Sequence, residues 1–446
     1  MIFITDVQAP DQIKPMKHHI LYIVLVFALC LPASAQEGTD YYRADFFRYH
    51  DHIYKKNIKT VLLYRAGWEL SLPILQMGAG EKLHLSFDDL DADVKDYGYT
   101  IIHCDANWKP SDLKPNEYLD GFMEAPIRDY QSSFNTIQSY THYDLIIPND
   151  DMSFKLSGNY LLKVFENDTS DVAITLRFMV SDPRVNVEGH VKRDVNVEER
   201  NYRQQVTFTL DTKGFDIYEP YRNLNVVIMQ NYRTDNAITN LKPMMVNGDR
   251  LDYTYDSGNT FNGANEFRNI DIKSLRYQSA RIKSFDFENR QNQIYLWDDD
   301  PRTFKVYRTE DDINGSRLIS CDEGDDPGAD CDYAEVHFHL TYPTPLADGN
   351  LYIFGALTNW QYIPEARMRY DNAKKGYDGI LYLKEGFYDY CYMFLENGSS
   401  TGDPTLIEGN HYETGNDYLI LIYYRAPGLL YDQLIGVKTL DSHNNP

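Results

Sequence analysis

Apolar residues in this chain recur at every second position. Leu83, Leu85 and Phe87 alternate with Lys82, His84 and Ser86, the period of a strand with one buried face. The same rhythm predicts strands at Thr60–Tyr64, Glu69–Ile74, Lys82–Phe87, Tyr97–His103, Tyr140–Ile147, Gly158–Glu166 and Thr175–Val180. Short strands separated by polar or Gly/Pro turns predict an antiparallel immunoglobulin-like sandwich over residues 57–182, although the Cys–Trp–Cys core of true immunoglobulin domains is absent.

Between His103 and Tyr140 the alternation gives way to a long excursion containing Trp108, Pro110, Pro115, Tyr118, Gly121 and Phe122. Long connections inside compact domains tend to carry function. Aromatic side chains anchor protein interfaces, so Trp108, Tyr118 and Phe122 are the candidate partner contacts.

Pro183 marks a boundary. Val185, Val187 and Val191, then Gln205–Leu210, Leu224–Met229, an Asn247–Gly248 hairpin turn, Phe267–Ile272, Ser279–Phe287 and Thr303–Tyr307 predict a second sandwich over 183–308. Residues 309–333 are acidic and Gly-containing, the pattern of a linker or long loop. A third sandwich is expected over 334–432, from Val336, Phe338, Leu340, Leu351–Phe354, Gly379–Leu383, Tyr388–Leu395 and Tyr418–Tyr424, with 433–446 as a tail. The fold class is therefore all-β, with tandem Ig-like sandwiches.

The start reads differently. Met16–Lys17–His18–His19, an apolar run Ile20–Leu31 and Ala33–Ser34–Ala35 form a secretory leader over 1–35, with Met16 as its natural start, and 36–56 form an aromatic lead-in. The apolar run is shorter than the ~20 residues a spanning helix needs. Such a leader implies an oxidising compartment. There Cys321 and Cys331, flanking an acidic Gly/Pro turn, are the candidate disulfide, and Cys104 and Cys391 are expected as buried thiols. A net charge of −24 repels phosphate backbones and argues against nucleic-acid binding.

Each candidate for chemistry has a plainer reading beside it. Asp89, Asp91 and Asp93 have the spacing of a calcium loop, but Val94 stands where glycine should be, so a solvated turn is expected. The acidic 321–332 loop is a second such case. His103 and Cys104 are neighbours on a strand and point to opposite faces, which disfavours a nucleophile–base pair. His337 and His339 share a face and could form half a zinc site, without a second ligand pair of matching spacing. No Walker loop, dinucleotide fingerprint or serine elbow occurs, so no enzyme chemistry, metal or cofactor is expected.

Long ordered words carry a resemblance. Asp88–Asp89–Leu90–Asp91, His103–Cys104–Asp105–Ala106–Asn107–Trp108, Glu117–Tyr118–Leu119–Asp120–Gly121, Ser157–Gly158–Asn159–Tyr160 and Asn265–Glu266–Phe267–Arg268 resemble the plug protein family of the type IX secretion system. The resemblance implies a periplasmic, non-enzymatic protein that docks on the periplasmic opening of a large outer-membrane β-barrel translocon and closes it when idle. Asn350–Gly355, Thr358–Asn359–Trp360 and Leu383–Tyr390 resemble the glycogen-binding module of the AMP-activated kinase β subunit, an early-set Ig-like sandwich. That second resemblance implies an alternative, glycan binding through Trp360, although Ser399 and Ser400 stand where the partner aromatic belongs.

Overall fold

The computed structural model describes residues 46–443, so the leader, its Met16 start and the beginning of the lead-in lie outside the described residues. Arg48 onward forms one compact unit. It is nearly all β, with helices of only a single turn at Pro115–Tyr118, Pro220–Asn223 and Thr405–Glu408.

The first sandwich packs two sheets around Leu83, Leu85, Phe87, Tyr99, Ile101, Tyr143, Tyr160, Leu162 and Phe178. One sheet runs in the order Ile58–Arg65, Leu83–Asp89, Thr141–Ile147, Asp129–Ser132. The other is built on Val172–Ser181, Gly158–Glu166 and Tyr97–Cys104. Two expectations change here. His52–Ile53, in the presumed lead-in, is an edge strand paired with Thr175 and Ile174. Residues expected as a strand from Glu69 form turns instead, Trp68 N–H bonding Arg65 O and Ser71 N–H bonding Trp68 O, and the strand begins at Ile74. Gly67, at φ +86°, makes the turn that breaks the pairing.

The excursion is not a loop. Leu119–Gly121 pairs with Met152–Phe154, Glu124–Pro126 with Tyr97–Cys104, and Asp129–Ser132 with Thr141–Ile147. Its short strands extend both sheets and seat Tyr118 in the core.

The second and third sandwiches are not consecutive in sequence. Asn186–Arg193 and Arg203–Asp211 lie in one sheet of the second. The other sheet joins Leu224–Gln230 to Asp417–Tyr424 and Gln433–Asp441 from the far end of the chain. The core accordingly mixes Val187, Phe208 and Val226 with Tyr418, Ile420, Ile422 and Ile435. The third sandwich is inserted between these halves, and its core runs from Ile270 to Ile407. Its sheets include Gly386–Glu396 paired with Arg268–Asp271, Arg317–Ile319 and Gly349–Phe354, and Gln291–Leu296 paired in parallel with Tyr333–Thr341. The expected limits at 308, 334 and 432, the 309–333 linker and the 433–446 tail are corrected together. The chain leaves the second sandwich after Asn262, builds the third, and returns at Asp417.

Sheet faces pack between the sandwiches as well as within them. In Asp417–Tyr424, Tyr418, Ile420 and Ile422 fill the second core, while Leu419, Leu421 and Tyr423 pack with Val227, Met229, Met179 and Ala106 against the first sandwich. Burial on both faces explains the unbroken run Tyr-Leu-Ile-Leu-Ile-Tyr-Tyr. A chain truncated after Asp432 removes the strand covering Leu434, Ile435 and Leu440. That truncated protein is expected to lose cooperative unfolding of the second sandwich, seen as an early transition in thermal circular dichroism; a single transition at the parent temperature would contradict the discontinuous domain.

Candidate functional site

The outer face of the Leu83–Asp89 strand carries His84, Ser86 and Asp88, which would face water if the first sandwich stood alone. Asp88 is instead 0% exposed, and Lys384 of the third sandwich, which meets it, is 1% exposed. The Lys384 ammonium lies 2.8 Å from Asp88 Oδ2 and 4.2 Å from the centroid of the Tyr140 ring. Tyr333 O–H donates to the same carboxylate at 2.6 Å, and His142 Nδ1 sits 2.5 Å from Asp88 Oδ1. The Asp88 carboxylate is therefore ringed by donors from two sandwiches, the arrangement a buried charge requires. Burial pushes the Lys384 pKa down, and Asp88 offsets only part of that. For His142, burial pulls the pKa down, but bonds to Asp144 and Asp88 outweigh it and lift the imidazole to about 9.

Over this joint lies the loop closed by the Cys321–Cys331 disulfide, Cα atoms 5.3 Å apart. Gly328 O accepts from Lys384 at 3.1 Å, and Cys331 O accepts from Tyr140 O–H at 2.7 Å. Asp332 accepts the backbone N–H groups of Ile137 and Gln138 at 2.6 and 3.0 Å, and Ala329 O accepts from Phe134 N–H. The acidic segment expected to be a solvated linker thus fastens the third sandwich to the first.

Asp89, Asp91 and Asp93 do converge, their ligand atoms within 4.8 Å of one another. The cation they hold is Lys95, whose ammonium lies 2.9 Å from Asp89, 2.5 Å from Asp91 and 3.7 Å from Asp93. Asp89 is buried and bonded to Asn57, Tyr97 and Asp91 N–H, so the solvated-turn expectation is corrected at Asp88 and Asp89.

Of the aromatic candidates, Tyr118 is buried, its hydroxyl donating to Ile101 O at 3.2 Å, and it is withdrawn as a contact. Trp108 is half-buried beneath Arg177, whose guanidinium carbon lies 4.4 Å from its ring. Phe122 is 64% exposed beside the exposed Met123. Trp360 is not an open sugar platform; it is half-buried against Phe354 and Phe267, ring centroids 5.6 and 6.1 Å away. Trp108 and Trp360 instead line one cavity of about 230 Å³ where all three sandwiches meet, with Leu72, Met229 and Arg317.

His103 is buried against Tyr160 and bonded to Ser111 Oγ at 3.0 Å, and burial pulls its pKa to about 4. Burial pushes the adjacent Cys104 thiol up to about 12, the character of an inert core residue. Cys391 is likewise a buried free thiol. His337 and His339 share a face as expected but bond separately to Gln293 and Asp378. Neither joins a cluster of three potential ligands among the described residues.

Residues 58–182 match the family described as "Type 9 secretion system plug protein 1st domain". The crystal structure of a hypothetical protein from Parabacteroides merdae is 36% identical, with a TM-score of 0.86, over 89% of this chain and 100% of that one. This chain belongs to the type IX secretion system plug family. The family match itself lies on the first sandwich, and the Parabacteroides merdae protein shares the fold over nearly all of the described body. The C-terminal domain of Streptococcus agalactiae BspA and dimeric latent PorU from Porphyromonas gingivalis are 7% and 10% identical, with TM-scores of 0.15. They cover 85% and 87% of this chain, 99% and 34% of their own, and scores so low carry no argument. No curated protein matches the plug-family chain.

Lys384→Met leaves Asp88 without its ammonium, and breaking a buried pair costs about 3–5 kcal/mol. Urea denaturation is expected to show a loss of that order, and a loss below ~1 kcal/mol would remove the joint from the account of stability. Because His142 titrates higher folded than the ordinary histidine value of about 6.5, its contribution is complete below that pH and is lost as pH climbs through about 9. The parent protein should therefore lose stability over this window relative to His142→Gln, by on the order of 3 kcal/mol. Parallel stability–pH curves would contradict the assignment.

Proposed function

We propose that this plug-family protein is a periplasmic stopper that docks on the periplasmic opening of the outer-membrane type IX translocon barrel and seals it when no cargo passes. The supporting observation is the Asp88–Lys384 joint under its disulfide-closed loop. A seal works by excluding water and ions through buried contact, which requires a body that does not flex at its own seams. Sandwiches joined by buried charge, shared apolar faces and a discontinuous strand order have that stiffness. The role is structural rather than catalytic, and the location beside the outer membrane follows from the family.

Phe122 is the candidate contact that remains, extended here to Met123. Both project from the connection between Leu119–Gly121 and Glu124–Pro126, on a scaffold fixed by backbone pairing at each side. Exposed apolar side chains on rigid elements suit a docking contact.

Tagged mature protein is expected to recover an outer-membrane barrel from mildly solubilised membranes. Phe122→Asp with Met123→Asp should reduce that recovery by tenfold or more while leaving the melting curve unchanged, because neither side chain is buried. A deletion strain should admit large antibiotics across its outer membrane. Equal recovery by the double variant would move the contact elsewhere; a strain no leakier than its parent, with the translocon intact, would overturn the sealing role.

A further inference from the structure

One sheet face of the third sandwich is covered by the first sandwich at its Tyr333–Lys384 end and open to solvent beyond it. Along Gln291–Leu296 and Tyr333–Thr341, Ile294, Leu296, Val336, Phe338 and Leu340 point into the core. Their alternates point outward in register. Tyr295 pairs with Ser284 on one side and His337 on the other, and His337 with Ile380; in the next row His339 pairs with Asp378. Trp297 follows just beyond the strand and is 54% exposed. The Lys283 ammonium sits 5.7 Å from its ring centroid.

The side chains on this face are held, not loose. Tyr295 and His337 stack with centroids 4.3 Å apart and planes 17° off parallel. His337 is fixed by Gln293 at 2.7 Å, and Asp378 by His339 and Lys374 at 2.7 and 2.8 Å. Ser284 is too small to cover the other side of the Tyr295 ring. The result is a shallow depression of about 600 Å³, within the usual range for ligand sites, lined by Tyr295, His337, His339, Asp378, Lys374 and Lys283.

We propose that this face is a saccharide-binding site for a chain of uncharged pyranose rings. The C–H face of a pyranose is apolar and carries slight positive charge, so it fits the negative face of an aromatic ring. Its hydroxyls each donate and accept, and they match planar groups that do one or both, here Asp378 and the two imidazoles. Tyr295 and Trp297, two residues apart, lie about 7 Å from one another along the strand direction and can receive successive rings. The ligand class follows from what the face lacks. A protein-docking patch has an apolar core, and these rows offer Ile380 alone as an aliphatic anchor. Its lysines and carboxylates balance closely enough that a strongly charged polymer gains little. The site is separate from Trp360 and independent of docking on a barrel.

The test is calorimetric titration of the full mature protein with maltohexaose, cellohexaose and chitohexaose. At least one is expected to bind with Kd at or below ~1 mM. Trp297→Ala and Tyr295→Ala should each weaken that binding tenfold or more with unchanged melting curves. Trp68→Ala, which removes an exposed tryptophan from the first sandwich, should leave it within twofold. The proposal is overturned if none of the three sugars binds at ~5 mM, or if binding survives the Trp297/Tyr295 double substitution. It is equally overturned if that double variant loses capture of an outer-membrane polypeptide while no sugar binds, which would make the face a protein contact.

Discussion

A carboxylate and an ammonium buried together between two sandwiches constrain everything around them. Asp88 and Lys384 come from strands almost three hundred residues apart, and neither could remain charged out of water without the other. Neither pure hydrophobic packing nor a surface ion pair would impose the same demand: the first tolerates sliding, and the second is worth little. A buried, directionally bonded pair tolerates neither rotation nor separation. Tyr333, His142, Tyr140 and the disulfide-closed loop complete the shell around it, so the two sandwiches have one relative position that satisfies every group.

The joint to the second sandwich works by different physics. There the outward residues of Leu224–Gln230 and Asp417–Tyr424 form an apolar surface against Met179, Ala106 and Leu434. Polar groups pin it in places: Tyr423 O–H reaches Asn159 at 2.8 Å, and Asp432 takes both Ala106 N–H and the Arg425 guanidinium at 2.8 Å. Burial supplies most of the free energy and the few directional bonds fix the register.

This division explains what was legible in the sequence. Alternation reported most strands of the first sandwich closely, Gly158–Glu166 to the residue, because a half-buried strand writes its own period. It could not report which sheet a strand joins. Tyr418–Tyr424 read correctly as a strand and was placed in the wrong sandwich, since nothing local separates a strand returning after a long insertion from one that continues its neighbours. The aromatics of the excursion were visible, but their burial depends on three-residue strands too short to show a period. The Asp88 joint was hidden for a related reason. Two adjacent aspartates look like a turn, and only the covering of the strand's outer face by another sandwich turns them into a core. The one local hint was that His84, Ser86, Asp88, His142 and Asp144 crowd a single face with hydrogen-bonding groups.

The discontinuous order of the second sandwich adds a constraint that packing alone would not. Because the third sandwich is an insertion, the chain crosses between the two bodies twice, after Asn262 and before Asp417. Two crossings remove the free swivel that a single linker permits. Near them, the Arg233–Asp235 pair is buried and bonded to Tyr362 and Gly402 of the third sandwich. A pivot about either crossing would have to expose that pair to water along with the Phe267, Phe354 and Met393 cluster beside it. The chain order thus does for the second and third sandwiches what the Asp88–Lys384 pair does for the first and third. Each pair of neighbouring sandwiches is thus held by a different means, so that no one substitution releases them all.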